Sequence, residues 1–200
     1  MSSEIPDTRE KILIATARLL VEHGGKGARM ADIAKETGIS RQALYLHFKS
    51  RTDVLIATTL YVGDRLDIEA RLAPSRAAAS GVERLRLYID FWGNFLPDIY
   101  AVGKALMMVQ DADDAAAAAW ADRMAAMRDG CRAAIDALIA DNDLADDWTR
   151  EDAIDALWTL LLVPNWESLT MDCGWSKKKY IRRMRSIAER TFVRRKRAGS

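Results

Sequence analysis

Apolar residues recur along the chain at the spacing of helices rather than strands. Ile12, Ala15, Thr16, Leu19 and Leu20 follow an i, i+3, i+4, i+7, i+8 pattern, which predicts an amphipathic helix over about 8–23. Asp7 or Thr8 can cap its start, and Gly24, Gly25 and Gly27 end it. Met30, Ile33 and Ala34 mark the inner face of a second helix over 30–37, stopped by Gly38. Ser40 is a good N-cap for a third, running to His47, and Ile39 and Leu44 stand where a hydrophobic staple would put them. Ser50-Arg51-Thr52-Asp53 reads as a capping box that opens a long fourth helix, expected to reach Leu72 and to be closed by Pro74-Ser75. Beyond it, helices are expected over 81–96 (ended by Pro97), 98–110, 111–140, 150–171 and 176–195. Pro164 should kink or break the 150–171 segment near Val163. No stretch alternates apolar and polar for long, and no Asn-Gly or Asp-Gly hairpin turn occurs. The expected fold is all-α, with about nine helices.

Composition narrows the function classes. Half of the 200 residues are hydrophobic, enough to bury a core. With only Cys131 and Cys173, no disulfide scaffold or cysteine-rich metal framework is available. No metal or cofactor is expected: Asp111, Asp113 and Asp114 lack the glycine and final glutamate of a calcium loop, and no phosphate-binding GxxxxGK[ST] loop exists. His23 and His47 have no nucleophile or metal-ligand partner nearby in sequence, so an enzyme is not expected. No apolar run is long enough to span a membrane, and Met1–Asp7 lacks a basic stretch leading into an apolar one, so a cytoplasmic setting is expected. The net charge of +1 hides an uneven distribution: residues 1–55 carry +2, 56–175 carry −11 and 176–200 carry +10. Such asymmetry points to an anionic partner, although a charge run is more often a solvated face.

The segment 30–51 carries the sharpest signal. Two short helices meet at Thr37-Gly38-Ile39-Ser40, with Ala34 four residues before the glycine and Leu44 six after it. A small residue at 34 permits close approach, Gly38 can turn left-handed, and Ile39 with Leu44 fills the wedge. This is the spacing of a helix-turn-helix, whose second helix enters the major groove of DNA. With Leu44 inward, Phe48 also falls inward, while Gln42, Ala43, Tyr45 and Leu46 spread outward beside Arg41. Arg41 can contact guanine and Gln42 adenine, and Ala43 and Leu46 can meet thymine methyls. Tyr45 and His47 can donate to phosphates, and Lys49 and Arg51 can neutralise the backbone. An ordinary helical corner is the competing reading of the spacing alone.

Residues 8–55 resemble the DNA-binding domain of the tetracycline-repressor (TetR) family. The resemblance rests on Ile12 to Leu20, Gly24, Asp32-Ile33-Ala34, Gly38-Ile39-Ser40 and above all Leu44-Tyr45-Leu46-His47-Phe48-Lys49-Ser50-Arg51. That block matches the family signature Leu-Tyr-x-His-Phe-x-x-Lys, with Arg51 at the lysine position. The chain departs from the family at Ala28-Arg29, where a Thr or Ser cap is common; Arg29 can touch phosphate instead. The resemblance implies a homodimeric regulator, usually a repressor, with a helix-turn-helix domain over 1–55 and a ligand-binding and dimerisation domain over 56–200. It further implies a palindromic double-stranded DNA operator and a small-molecule inducer as partners, with no membrane.

All six tryptophans fall in 56–200. Phe91, Trp92, Phe95, Met107, Met108, Trp120, Met124, Met127, Trp158 and Trp166 are candidate pocket walls, since Met and aromatics make adaptable apolar linings. Each taken singly is more often plain core. An aromatic cavity would suit an apolar or aromatic ligand, whereas a buried Asp90 would favour a cationic one; Asn94, Gln110 and Asn165 are further polar residues in apolar surroundings. The helices over 150–171 and 176–195 are the expected dimer faces, and Lys177–Lys179, Arg182, Arg183 and Arg185 are expected to stay solvated or to pair with acids of the middle segment. The alternative is a DNA-binding regulator without an inducer, controlled by a partner protein or by abundance. A helical enzyme or scaffold with an accidental helix-turn-helix is the more distant rival.

Overall fold

The computed structural model describes residues 7–195. Among them are ten α-helices and one isolated antiparallel bridge, Leu144 with Val193. Contact density divides the chain into two units. The first takes the chain through Asp67 together with Ile99–Asp122; the second takes Ile68–Asp98 and the chain from Arg123 onward.

Local capping sets the helix starts of the first unit. Helix α1 (Thr8–Glu22) is capped by Asp7, whose carboxylate accepts the Glu10 N–H at 2.7 Å. Helix α2 (Met30–Thr37) has no side-chain cap at Arg29 and ends on Gly38 at φ 72° and ψ 26°, the left-handed turn that frees the chain for the next helix. Helix α3 (Arg41–His47) is capped by Ser40, which accepts the Ala43 N–H at 3.0 Å. Helix α4 (Arg51–Arg65) begins with the capping box of Ser50 and Asp53. Ile12, Leu20, Ile33, Leu44, Phe48, Val54 and Leu55 form one core, joined by Val102 and Ala105. Tyr61 and Arg65 of α4 both bond the Glu10 carboxylate of α1.

The long helix expected to reach Leu72 is instead two. Helix α4 ends at Arg65 and α5 (Ile68–Arg76) follows across Leu66 and Asp67, the latter at φ 46°. Asp tolerates the left-handed region better than most residues, so the chain turns there without glycine. Pro74 lies inside α5 rather than closing it. The reverse occurs at Pro97: the helices expected over 81–96 and 98–110 are one, α6 (Gly81–Met107). A proline removes one ladder bond and crowds the carbonyl four residues back. Phe91, Phe95, Leu96, Tyr100 and Val102 are all buried around it, and their burial holds the helix through.

A short 3₁₀ turn (Gln110–Ala112) precedes α7 (Asp114–Ala140). The carboxylate of Asp113 accepts the N–H groups of Ala115 and Ala116 and the Thr52 hydroxyl, which holds its pKa below the ordinary aspartate value. Pro164 breaks the chain where expected: α8 (Arg150–Leu160) stops, α9 (Val163–Glu167) restarts with the proline in its first turn, and a π-helical turn (Ser168–Asp172) follows. Helix α10 (Lys177–Phe192) ends three residues short of the expected Arg195. Lys196 and Arg197 of the basic C-terminal segment lie outside the described residues.

Inside the second unit, Phe91 and Phe95 stack at 5.0 Å, and Trp92 meets both edge-on. Tyr88 donates to the Met127 carbonyl at 2.8 Å, and a Cβ at Gly130 would fall 2.2 Å from its hydroxyl. Tyr180, Met184, Ala188 and Phe192 form the buried stripe of α10. One of the α10 bases pairs with a middle-segment acid within the chain, Arg185 with Asp90, and in the opposite sense Arg86 of α6 binds Glu189 of α10 at 2.6 Å. Cys131 is buried, its thiol pushed up to about 12, and Cys173 is exposed.

Candidate nucleic-acid interface and ligand cleft

The outer face of α3 is built by what its inner face buries. Leu44 is fully buried and Phe48 nearly so, which fixes the rotation of a helix only seven residues long. Arg9 lays its guanidinium 4.9 Å from the centre of the Phe48 ring, and so closes the outer side of that anchor. Arg41, Gln42, Tyr45, Leu46 and His47 then face solvent, with Ala43 half-buried. Leu46 is 88% exposed and Tyr45 46%, a large apolar exposure for a helix that packs its other side so completely. Ser40 stands at the helix N-terminus, Lys49 is exposed just beyond its end, and Arg29 is exposed at the N-cap of α2. Arg41, Gln42, Ala43, Tyr45 and Leu46 thus stand on one surface of the first unit, with hydrogen-bonding, cationic and methyl-contacting groups side by side. Arginine, glutamine and small apolar side chains are the types that read base edges in a major groove.

Arg51 behaves differently from the solvated cation the sequence suggests. It is half-buried, and its Nε donates to the Ala28 carbonyl at 2.9 Å. It ties the start of α4 to the segment entering α2. No pattern in the sequence signals this bond, because it spans residues far apart in the chain.

The ten candidate pocket residues are drawn from both units. Met107, Met108 and Trp120 belong to the first unit, where Met108 is 55% exposed. Phe91, Trp92, Phe95, Met124, Met127, Trp158 and Trp166 belong to the second. A cleft of about 390 Å³ opens in that second unit, among α5, α6 and α10. Phe91 is the one member of the expected set that lines it. Leu87 and Pro74 complete its apolar floor, and Arg71, Asp90, Asn94, Asp98 and Lys177 its polar walls. Leu87, Asp90, Phe91, Asn94 and Asp98 recur at helical spacing along one face of α6. Asp90 is half-buried, and its charge is met by Arg185. Among the described residues no group of His, Cys, Asp or Glu is arranged to hold a metal ion, and no helix is long and apolar enough to cross a membrane.

Two short helices at a left-handed glycine, with a buried anchor and an exposed polar recognition face, define a helix-turn-helix protein. Residues 12–58 match the profile of the bacterial regulatory proteins of the tetR family. The chain is 25% identical to the HTH-type transcriptional regulator CymR of Pseudomonas putida over 86% of its own length and 82% of that protein. It is 30% identical to the HTH-type transcriptional activator FasR of Mycolicibacterium smegmatis over 45% of its length and 41% of that protein. Its fold matches a transcriptional regulator from Saccharomonospora viridis, solved in complex with choline, at a TM-score of 0.79 and 21% identity, covering 94% of this chain and 98% of that one. Residues 12–58 thus carry the helix-turn-helix of the tetR family, and the matches together support a DNA-binding transcriptional regulator of that family.

Proposed function

We propose that this regulator is a homodimeric repressor that leaves a near-palindromic operator when a small ligand occupies its second unit. The observation that carries the DNA half is the exposed face of α3, with Arg41 and Gln42 beside Tyr45 and Leu46 over the buried Leu44 and Phe48. Arg41 and Gln42 read base edges; Tyr45, His47, Lys49, Arg29 and Arg51 hold phosphates. In a two-fold dimer, two copies of α3 roughly 34–36 Å apart meet successive major grooves. The segments 150–171 and 176–195 supply the dimer face, and Met171 and Ile187, at 51% and 42% exposure, are the apolar side chains they offer for it.

A ligand releases DNA only if it binds the non-operator arrangement more tightly than the operator-bound one. The cleft in the second unit supports a sensor over a regulator controlled by abundance alone. The test has two stages. Selection from random duplexes with the purified protein should recover a sequence with inverted half-sites, and a compound screen on that duplex should find releasing ligands. Recovery of no sequence preference refutes the DNA reading, and release by no compound refutes the inducer reading alone.

A further inference from the structure

The charges around the second unit's cleft are unevenly matched. Its two carboxylates are already satisfied from within the chain. Arg71 Nη1 donates to Asp98 Oδ2 at 2.7 Å, and Arg185 grips both oxygens of Asp90. Lys177 also lines the cleft, is exposed, and among the described residues forms no ion pair with a carboxylate. Asn94 gives one amide hydrogen to the Asp90 carbonyl at 2.8 Å, so its second remains to be donated. The unmet groups at the walls are therefore donors, and the uncompensated charge is positive. Lys177 is also the first residue of α10, whose opening turn holds Lys177, Lys178 and Lys179 and no acid, so the helix end adds to the positive potential.

A cationic guest meets an obstacle. The Arg71 guanidinium lies 6.0 Å from the centre of the Phe95 ring and on Asp98, the placement an incoming ammonium would want. It is tethered there by the chain and would have to be evicted. The floor of Leu87, Phe91 and Pro74 meanwhile calls for an apolar body.

We infer that this cleft binds a small organic anion, a carboxylate carried on an aromatic or alkyl body that rests on Leu87 and Phe91 with its head group at Lys177 and Asn94. The inference rests on reading the second unit as the sensor and names the class of ligand it takes. The carboxylate donates nothing and accepts from both walls, so Asp90 and Asp98 keep their own partners. Neutral aromatic compounds of the same shape satisfy the floor and leave Lys177 unmet.

Calorimetric titration of the full-length protein with 2-naphthoate, 2-naphthamide, acetate and phenyltrimethylammonium separates these demands. Naphthoate should bind about fivefold or more tighter than naphthamide, acetate should not bind measurably, and phenyltrimethylammonium should bind more weakly than naphthoate. Lys177→Gln should remove the preference for naphthoate over naphthamide and leave naphthamide affinity unchanged. The same substitution removes a cation from a helix N-terminus, so thermal stability should hold or rise, which excludes unfolding as the cause. No binding of naphthoate, equal binding of the amide, tighter binding of the cation, or an unchanged preference in Lys177→Gln each overturns the assignment. Operator release is measured separately on the same samples. Naphthoate that binds without releasing DNA refutes the inducer reading and leaves the site standing.

Discussion

Replacing Gly25 by Ala isolates the packing that joins the turn after α1 to the far end of α6 within the first unit. Gly25 sits at φ +79°, and an added Cβ would lie 2.8 Å from Lys104 Cβ and 2.9 Å from the Ala101 carbonyl oxygen. A carbon normally keeps about 3.5–4.0 Å from another carbon, and the Ala101 carbonyl belongs to the α6 backbone and cannot swing aside. Two costs add. Placing a Cβ in the left-handed region costs about 1–2 kcal/mol, offset by about 0.4–1 kcal/mol from the stiffer unfolded chain. Forcing the overlap costs about 1–3 kcal/mol more. Gly24→Ala is the matched control: at φ +58° its Cβ meets nothing within 4 Å, so it carries the conformational cost without the overlap. Gly25→Ala should therefore be about 1–3 kcal/mol less stable than Gly24→Ala. For a chain of this size that separates their thermal midpoints by roughly 2–12 °C, which calorimetry resolves. Equal midpoints would refute the close packing of Gly25 on α6.

Ser50→Ala removes the capping box of α4 and should cost about 0.5–2 kcal/mol in a urea melt, with no change at the α3 face. Lys49→Ala should weaken binding to all duplexes alike and reduce the slope of log affinity against log salt by about 1. Asp136 is held below its ordinary value of 3.8, first by its hydrogen bonds from Arg150. Its native form thus binds a proton less readily than the unfolded chain, so its stabilisation is full above that ordinary value and fades as pH falls through the lowered one. Melting curves of wild type and Asp136→Asn should differ at pH 7 and draw together as pH falls below 3.8; a gap that does not narrow in acid would exclude this pair as the source.

The recognition region was legible because its determinants are local. Asp7, Ser40 and Ser50 each cap a helix within three residues, and Gly38 turns left-handed between α2 and α3 where the spacing required it. The inward rotation of Leu44 and Phe48 followed from helical periodicity alone. Proline was a less dependable guide. Pro164 broke a helix, whereas Pro97 stayed inside one, because the buried aromatic residues flanking Pro97 outweigh one lost ladder bond. The break at Leu66–Asp67 carried no signal, since neither Gly nor Pro marks it.

The second unit was harder to read. Phe91, Trp92 and Phe95 crowd one helix in the sequence, and the structure stacks Phe91 on Phe95 with Trp92 edge-on to both. Periodicity could not say which helices meet, and the candidate set draws Met107, Met108 and Trp120 from the first unit and the rest from the second. The cleft's polar walls come from three helices, and Arg71, Asp98 and Lys177 share no sequence pattern that would gather them. The bond from Arg51 to Ala28 escaped for the same reason.

The central claim is that the exposed face of α3 reads base identity. The direct measurement is the affinity of wild type, Arg41→Ala and Gln42→Ala for the selected operator and for each of its single-base variants, at fixed salt. Each substitution should erase about 1–3 kcal/mol of discrimination at one or two positions of each half-site and leave non-specific binding nearly unchanged. An affinity loss equal on every sequence, or no loss at all, would contradict it.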